Sequence, residues 1–153
     1  MYIENEYTEL KSELTKEIKK EIVAFANSKG GTIYIGVNDD GSINGLKNVT
    51  KDMEALSGMI REGIKSDLSL YTSIEIKEID TKKIIVLKII SAPNKPYYLV
   101  EKGLKPNGVY IRHGNVSAPA SEENIKKMIK ENHDSFENEI SSNQNLNFKF
   151  LNN

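Results

Sequence analysis

Cysteine is absent from this 153-residue sequence, which excludes both a disulfide framework and a thiolate zinc site. Histidine is scarce, because the two residues, His113 and His133, are too few for a histidine-rich metal site. Any bound metal would therefore have oxygen ligands, which suit hard ions such as Mg²⁺ or Mn²⁺. Long apolar runs are also missing. The longest, Ile84 to Ile90, contains Lys88 and is far too short to cross a bilayer.

Neither a signal sequence nor an excess of one charge is evident. The first six residues, Met-Tyr-Ile-Glu-Asn-Glu, lack the basic and apolar regions of a secretory signal, so we expect a cytoplasmic protein without a membrane partner.

The net charge of −1 means that the chain does not have the excess of basic residues that many nucleic-acid-binding proteins have. The 21 lysines and arginines could nevertheless be concentrated on one face. A chain of this length suits a single domain with a real core.

The stretch between residues 27 and 41 organises the rest of the sequence. It leads from a helix end, through a double glycine, into a strand from Thr32 to Val37. The strand is followed by two adjacent carboxylates, Asp39 and Asp40, and by a glycine. Rigid strand ends can fix carboxylates for metal or ligand binding. A lone Asp-Asp-Gly sequence, however, is more often a hairpin turn.

A second acidic group lies near the N-terminus, where Glu4, Glu6 and Glu9 precede Lys11. In an extended strand Glu9 and Lys11 share a face, whereas Glu4 has the opposite parity to Glu9. Glu4 and Glu9 can therefore meet only if the chain bends or bulges between them. The alternative interpretation is a solvated acidic N-terminus.

Hydrophobic periodicity predicts three helices and a sheet. Ile18, Ile22 and Phe25 form an apolar stripe on the first helix, which Thr15 is expected to cap. The run Lys83 to Ile90 consists mostly of β-branched residues and leucine, which suits a central strand covered on both faces. The predicted helices cover residues 15–28, 50–68 and 121–132. The predicted strands cover residues 7–11, 32–37, 43–46, 73–79, 83–90, 97–100 and 109–112.

Two polar residues at predicted element ends have two interpretations each. Asn27, at the end of the first helix, either has a structural role there or reaches into a site, and the structural role is favoured. Arg112, at the end of the last predicted strand, offers two parallel donors that suit a phosphate. It could equally pair with one of the acidic residues described above, and the sequence pattern does not choose between these roles.

The composition changes from Asp134 onward. Six asparagines lie from Asn138 to Asn153, and a short apolar run from Leu146 to Leu151 lies near the end. We therefore predict a domain over residues 1–133, followed by an extension or linker over residues 134–153. We expect the natural protein to continue into a further region.

Three motifs can be compared with known families. They are Glu4-x-x-x-x-Glu9-Leu10-Lys11, Ala24-Phe25-Ala26-Asn27-Ser28-x-Gly30-Gly31-x-Ile33-x-Ile35-Gly36-Val37-x-Asp39-Asp40-Gly41, and Gly108-Val109-Tyr110-Ile111-Arg112-x-Gly114-Asn115. Together they resemble the Schlafen AlbA_2 domain family over about residues 4 to 130. The resemblance implies an α/β (α+β) domain with a mixed, mainly antiparallel sheet flanked by about three helices. It also implies nucleic acid, either DNA or RNA, as the ligand.

The resemblance also implies a set of site residues. Eukaryotic Schlafen proteins cleave transfer and ribosomal RNA at a three-carboxylate site, and two of those carboxylates correspond to Glu4 and Glu9, with Leu10 in place of the family's phenylalanine. Asp39 is our choice for the third, one residue before Asp40. These three would be catalytic and would bind Mg²⁺ or Mn²⁺. The candidate nucleic-acid-binding residues are Lys11, Lys29, Lys95, Arg112 and His113.

Three functions are therefore compared. The first is a nucleic-acid-binding domain of a bacterial transcriptional regulator. The second is a metal-dependent endoribonuclease that uses Glu4, Glu9 and Asp39; because Schlafen enzymes grip RNA with two lobes, this single lobe would need a homodimer or a downstream lobe. The third is an ATP-binding module, which is disfavoured because the sequence Lys29-Gly30-Gly31 lacks the glycine spacing and Gly-Lys-Ser/Thr of a P-loop.

Overall fold

The computed structural model describes residues 2–134, which form an α+β fold of three helices and eight strands. The helices are α1 (Ile18–Ala26), α2 (Val49–Gly63) and α3 (residues 122–134). The strands are β1 (Thr8–Lys11), β2 (Gly31–Ile35), β3 (Ile64–Lys65), β4 (Thr72–Ile79), β5 (Lys82–Ile89), β6 (Tyr98–Leu99), β7 (Tyr110–His113) and β8 (Val116–Pro119).

The main sheet has the strand order β1-β2-β5-β4. β1 and β2 are parallel, with Glu9 opposite Ile33, and the other two pairings are antiparallel. Two smaller antiparallel pairs, β3-β6 and β7-β8, lie outside this sheet. The predicted fold class, a mixed and mainly antiparallel sheet with three helices, is confirmed.

The sheet is covered on both faces, and β5 is its central strand. Ile85 and Leu87 belong to the main hydrophobic core, which also contains the buried faces of α1 and α2. Ile84 and Val86 belong to a second cluster on the opposite face, which includes Leu10. All four β5 side chains are at most 5% exposed. Because successive strand residues point to opposite faces, the apolar run correctly predicted a strand buried on both sides.

The double glycine is required by close packing at the start of β2. Gly30 has a φ of +77°, and its N–H donates to the Phe25 carbonyl to close the end of α1. A Cβ on Gly30 would lie 2.6 Å from the Ile89 carbonyl oxygen, and one on Gly31 would overlap the Phe25 ring. Both positions therefore exclude any larger residue for reasons of backbone conformation and packing.

Helix α1, which spans Ile18–Ala26, differs from the predicted range 15–28 at both ends, and helix α2 differs mainly at its C-terminal end. α1 begins at Ile18 rather than at Thr15, because i→i+3 backbone bonds such as Ile18 N–H to the Thr15 carbonyl form a tighter turn before it. α2 ends at Gly63 rather than at Leu68. The reason is a tertiary one, since Ile64 leaves the helix to pair with Leu99 in the β3-β6 ladder. Asn48 caps α2 by accepting from the Lys51 N–H at 3.1 Å.

The strand predictions were wrong in three places, one of which is β3 (Ile64–Lys65), where the sequence predicted helix. The expected return strand over residues 43–46 is reduced to a single bridge between Val37 and Ile43. Conversely, Val116–Pro119 forms β8, a strand that the sequence pattern did not predict, and its pairing with β7 places Ser117 opposite Arg112. At α3 the prediction held, because Ser121 Oγ accepts from the Asn124 N–H at 3.0 Å.

Within residues 2–134, no helix is long and apolar enough to cross a membrane. The predicted extension over residues 134–153 lies, apart from its first residue, outside the described residues. The boundary after residue 133 stays a prediction.

Candidate functional site

A tight turn brings Glu4 back toward strand β1. Asn5 and Thr8 exchange two backbone hydrogen bonds, and the Asn5 side chain accepts from the Tyr7 N–H at 2.8 Å. Glu4 Oε1 thereby lies 3.4 Å from the Leu10 backbone nitrogen. The bend that the parity argument required between Glu4 and Glu9 is present.

Arg112 is the centre of a charged group that joins β7 to β1 and α1. Its Nη1 donates to Glu9 Oε2 at 2.7 Å, to Glu21 Oε2 at 3.1 Å and to Ser117 Oγ at 3.1 Å. Ser117 Oγ in turn donates to Glu21 Oε2 at 2.5 Å. Lys11 completes the group, with its Nζ 4.0 Å from Glu9 Oε1 and 3.8 Å from Glu21 Oε1. We call these five residues the Arg112 cluster.

The Arg112 side chain is only 2% exposed. Its Nη2 donates to the backbone carbonyls of Asn5 and Thr8, at 2.9 and 3.2 Å. The guanidinium lies over the Phe25 ring, 4.7 Å from the centroid. Nε is buried without a hydrogen-bond partner among the described residues. Of the two roles left open by the sequence, the structure gives Arg112 the pairing with acidic residues, and its donors face inward.

Burial perturbs both carboxylates of the Arg112 cluster. The pKa of Glu9 is raised chiefly by removal from water and next by a side-chain hydrogen bond with Glu4, while Arg112 and Lys11 oppose the shift. The pKa of Glu21 is also raised by burial, against the hydrogen bond from Ser117. Desolvation disfavours the charged form of a carboxyl group. The cluster therefore binds protons more readily than exposed glutamates do.

Asp39 and Asp40 lie in a different place, the turn that follows β2. Asp40 Oδ1 accepts from the backbone N–H and the hydroxyl of Ser42, at 2.9 and 2.5 Å, and these bonds lower its pKa. Asn38 Nδ2 also donates to Ser42 Oγ, at 3.0 Å. Asp39 is exposed and makes no side-chain hydrogen bond or ion pair to another described residue. This arrangement matches the hairpin-turn interpretation.

The predicted metal ligands do not fit a metal ion in this arrangement. Among residues 2–134, no three histidine, aspartate or glutamate side chains are grouped so that they could hold one. Glu4 and Glu9 are together, but Glu9 is already neutralised by the Arg112 guanidinium and approached by the Lys11 ammonium. The catalytic and metal-binding roles of Glu4, Glu9 and Asp39 stay predictions.

Asn27 serves the fold. Its side-chain amide donates to the carbonyls of Tyr97 and Tyr110, at 2.9 and 3.0 Å, and its carbonyl accepts from the Tyr97 N–H at 2.7 Å. These bonds tie the end of α1 to β7 and to the segment before β6. The residue is 7% exposed. The favoured structural interpretation is confirmed.

The remaining basic candidates surround Ser28. Ser28 Oγ accepts from the Arg112 backbone N–H at 2.9 Å, and its carbonyl accepts from Lys95 Nζ at 3.3 Å. Lys29 is the next residue and is exposed, as is His113. Beside them a shallow groove of about 400 Å³ runs between β7 and α3. Its lining side chains include Ser28, His113, Asn124, Lys127 and Glu131.

We call Ser28, Lys29, Lys95, His113 and Lys127 the Ser28 surface. Sequence reasoning missed Lys127, because nothing local indicates that α3 packs beside β7. It also missed Glu21 and Ser117. A usable signal existed for Glu21, which lies three residues after Ile18 and four before Phe25, and hence next to the apolar stripe of α1. Ser117 gave none, since its strand was not predicted.

Comparisons with known proteins agree with this fold. A family model described as Schlafen, AlbA_2 matches residues 4–121. The DIP2311 protein from Corynebacterium diphtheriae is similar, with 17% identity and a TM-score of 0.58 over 75% of this chain and 25% of that one. The N-terminal domain of an ATP-dependent DNA helicase RecG-related protein from Nitrosomonas europaea shares 24% identity, with a TM-score of 0.52 over 72% of this chain and 78% of that one.

At these identities the two solved structures show the fold alone. The chain spans a quarter of the DIP2311 protein and most of the Nitrosomonas domain. A comparison with curated proteins gave no match.

Proposed function

Since the chain belongs to the Schlafen AlbA_2 family, we propose that it is a nucleic-acid-binding domain, serving a transcriptional regulator. The RecG-related neighbour carries DNA helicase in its name, which supports a nucleic-acid ligand for this domain. The observation that carries the proposal is the Ser28 surface. There, Lys127 and His113 line one groove, while Lys95 contacts Ser28 in the wall of the groove and Lys29 follows Ser28 in the chain, although the whole chain has a net charge of −1.

The Ser28 surface has the chemistry that a phosphate backbone requires. Lysine ammonium groups bind phosphates as point charges, and release of counterions from the nucleic acid supplies most of the non-specific affinity. Lys95 is held in place by Ser91 Oγ at 2.9 Å and by the Ser28 carbonyl at 3.3 Å. Glu131 is the one acidic residue that lines the groove among the described residues. The groove therefore offers a favourable place for an anionic strand.

Arg112 contributes to binding indirectly. Its side chain is buried in the Arg112 cluster, while its backbone N–H fixes Ser28 Oγ at 2.9 Å. It thus holds strand β7, and with it His113, against the end of α1. Lys11 is the cluster member that remains accessible, with a side chain that is 32% exposed. It lies beside two carboxylates, which reduces its attraction for phosphate.

The test is fluorescence anisotropy with labelled single-stranded RNA, transfer RNA and duplex DNA at several salt concentrations. We expect measurable binding that weakens as salt rises. Lys29→Gln and Lys127→Gln should each reduce the slope of log K against log salt by about 1, as expected for one lost phosphate contact. Lys51→Gln is the matched control, because Lys51 is exposed in the first turn of α2 and is not part of the Ser28 surface.

Absence of binding to all three probes at low salt would refute the proposal. An equal loss of affinity in the Lys51→Gln control would remove the assignment to the Ser28 surface while leaving nucleic-acid binding intact. The relative affinities for the three probes would distinguish an RNA-binding from a DNA-binding domain.

Metal-dependent endoribonuclease activity is the alternative, favoured by the proximity of Glu4 and Glu9. It requires a third carboxylate, and Asp39 lies apart from them in the turn after β2. The Glu9 carboxylate is, in addition, already paired with the Arg112 guanidinium. The same samples test it, because transfer RNA incubated with Mn²⁺ or with chelator can be examined for fragments. Discrete fragments that need Mn²⁺ and disappear in Asp39→Asn would favour the nuclease over a pure binding domain.

An ATP-binding module receives no support from the double glycine. Gly30 and Gly31 are explained by the close approach of Ile89 and Phe25, and a phosphate-binding loop would instead open toward a ligand.

A further inference from the structure

Strand β4 forms a long open edge of the main sheet. It pairs with β5 over all eight residues, from Thr72 opposite Ile89 to Ile79 opposite Lys82. Within residues 2–134, no strand pairs with its other side. An eight-residue edge is longer than a typical strand, and unpaired edges readily accept another strand.

The turn after β4 determines which backbone groups face outward. Asp80 and Thr81 have φ values of +49° and +69°, as in the two-residue type I′ loops of β-hairpins. The closing pair, Ile79 and Lys82, is then a hydrogen-bonded pair, and hydrogen-bonded pairs alternate along an antiparallel ladder. The odd-numbered residues of β4 are bonded to β5. The N–H and C=O groups of Ile74, Ile76 and Glu78 therefore point away from the sheet.

The side chains of β4 alternate between the two faces of the sheet. Ile74 packs against the main core beneath the helices. Lys77 lies on the opposite face, where its Nζ is 3.5 Å from the Tyr2 hydroxyl. Glu75 shares that face with Lys77, because the two are separated by two positions. Ile76 is on the helix side and is 43% exposed at the open edge.

We propose that this edge binds a second copy of the chain, with the two β4 strands antiparallel and Ile76 opposite its own counterpart. In that register Glu75 of each copy lies opposite Lys77 of the other, so two ion pairs form on one face. The backbone groups of Ile76, which point outward, form a hydrogen-bonded pair across the two-fold axis. Shifting one strand by two residues in either direction would instead place Glu75 opposite Glu75 or Lys77 opposite Lys77. All three registers keep equivalent faces of the two strands together, but only the first places opposite charges across from each other. The sequence of β4 is therefore self-complementary in that register.

A groove beside β4 offers a further match in charge. It has a volume of about 300 Å³, lies between α2 and β4, and is lined by Ile60, Arg61, Thr72 and Ile74, among others. In the proposed register, Glu78 of the second copy lies opposite Ile74 on the helix side. Its carboxylate would then reach Arg61, whose side chain is 65% exposed and whose nearest acidic group is Glu62 at 3.8 Å. Charged residues on an edge strand usually prevent pairing, but here the opposite signs meet.

Sedimentation of the full chain without nucleic acid tests the proposal, and this keeps it independent of the proposed function. We expect a dimer that dissociates on dilution toward the 17.2 kDa monomer. Glu75→Lys and Lys77→Glu should each raise the dissociation constant roughly 10- to 100-fold, because both symmetric ion pairs become repulsive. The double variant exchanges the two charges and should restore the wild-type constant.

Lys88→Glu is the control, since it makes the same charge change on an exposed position of β5. Neither Glu75 nor Lys77 faces a charged residue on β5, where their partners are Val86 and Ile84, so the variants should keep the monomer folded. Circular dichroism checks this. A chain that stays monomeric at every concentration would overturn the proposal, as would a double variant no tighter than the two single ones.

Amide hydrogen exchange gives a second measurement that needs no variant. The Ile76 amide should exchange more slowly as the protein concentration rises, because the dimer provides an acceptor on the side of β4 that no strand of residues 2–134 covers. The Lys77 amide, already bonded to β5, should show no such dependence. A dimer in which Ile76 exchange is independent of concentration would place the interface elsewhere and refute the β4 edge.

Discussion

The two acidic regions that the sequence suggested as one site have opposite characters. In the Arg112 cluster, Glu9 and Glu21 are mostly buried and are paired with groups more than ninety positions away in sequence. In the turn after β2, Asp40 is exposed and is bound by a residue two positions away. The first region depends on the tertiary fold, and the second is satisfied locally.

Proton binding should differ in the same way. Burial raises the pKa values of Glu9 and Glu21, so these groups favour folding at low pH. Hydrogen bonds from Ser42 lower the pKa of Asp40, so that this group favours folding at higher pH. The contributions of these carboxylates to the stability of the fold thus change with pH in opposite directions. The direction depends on whether desolvation or hydrogen bonding dominates the pKa shift.

The largest effect should follow from removing the centre of the Arg112 cluster. Arg112→Met keeps much of the side-chain volume but leaves Glu9 and Glu21 without their main positive partner. Breaking a buried pair in this way costs about 3–5 kcal/mol, which we expect as a loss in the free energy of unfolding measured with urea. Lys51→Met, at an exposed position in the first turn of α2, is the control and should have little effect. A loss for Arg112→Met no greater than the control's would contradict a stabilising cluster.

A smaller effect should appear in the pH dependence of Glu21→Gln. The folded-state pKa of Glu21 is raised above its ordinary value of 4.5, so the folded protein binds a proton more tightly than the unfolded chain does. The contribution of Glu21 to the free energy of unfolding is then fully present below pH 4.5 and is lost as the pH rises through the raised pKa. Wild type should therefore lose more stability than Glu21→Gln between pH 4.5 and pH 7.

Urea unfolding of both proteins across that range measures the difference. Gln can still accept the hydrogen bond from Ser117 Oγ, so the comparison isolates the titrating charge. Parallel profiles for the two proteins would show that burial of Glu21 has no energetic consequence.

The comparison also explains what the sequence could predict. The apolar stripe of α1, the doubly buried β5 and the end of α1 before the double glycine follow from patterns within a few residues, and all were predicted. So was the need for a bend between Glu4 and Glu9, because strand parity is a local rule. The end of α2 was wrong because it is set by pairing of Ile64 with Leu99, thirty-five positions away. Periodicity contains no information about such a partner.

The site was less predictable than the fold, for the same reason. Phosphate binding and ion pairing make identical demands on Arg112, and only the three-dimensional arrangement places it against Glu9 and Glu21. Ser117 depended on the unpredicted β8. The Ser28 surface combines residues from the segment after α1, the segment before β6, β7 and α3, so no single motif could reveal it. Asp39 was chosen by resemblance, and the structure gives it an exposed turn.

The smallest effect should come from this turn. Asp40→Asn keeps an oxygen that accepts from the Ser42 N–H but removes the charge, so stability at pH 7 should change far less than in Arg112→Met. The sign of the pH dependence should be opposite to that of Glu21. The folded-state pKa of Asp40 is below its ordinary value of 3.8. The contribution of Asp40 to the free energy of unfolding is therefore present above pH 3.8 and is lost as the pH falls through the lowered pKa. The stability of wild type relative to Asp40→Asn should then fall on acidification below pH 4. The stability of wild type relative to Glu21→Gln should instead rise as the pH falls from 7. Urea titrations of all three proteins at pH 3, 5 and 7 measure this. The same sign for both variants would mean that the turn and the Arg112 cluster are not electrostatically distinct. Opposite signs would confirm that desolvation dominates the titration of Glu21 and that hydrogen bonds dominate the titration of Asp40.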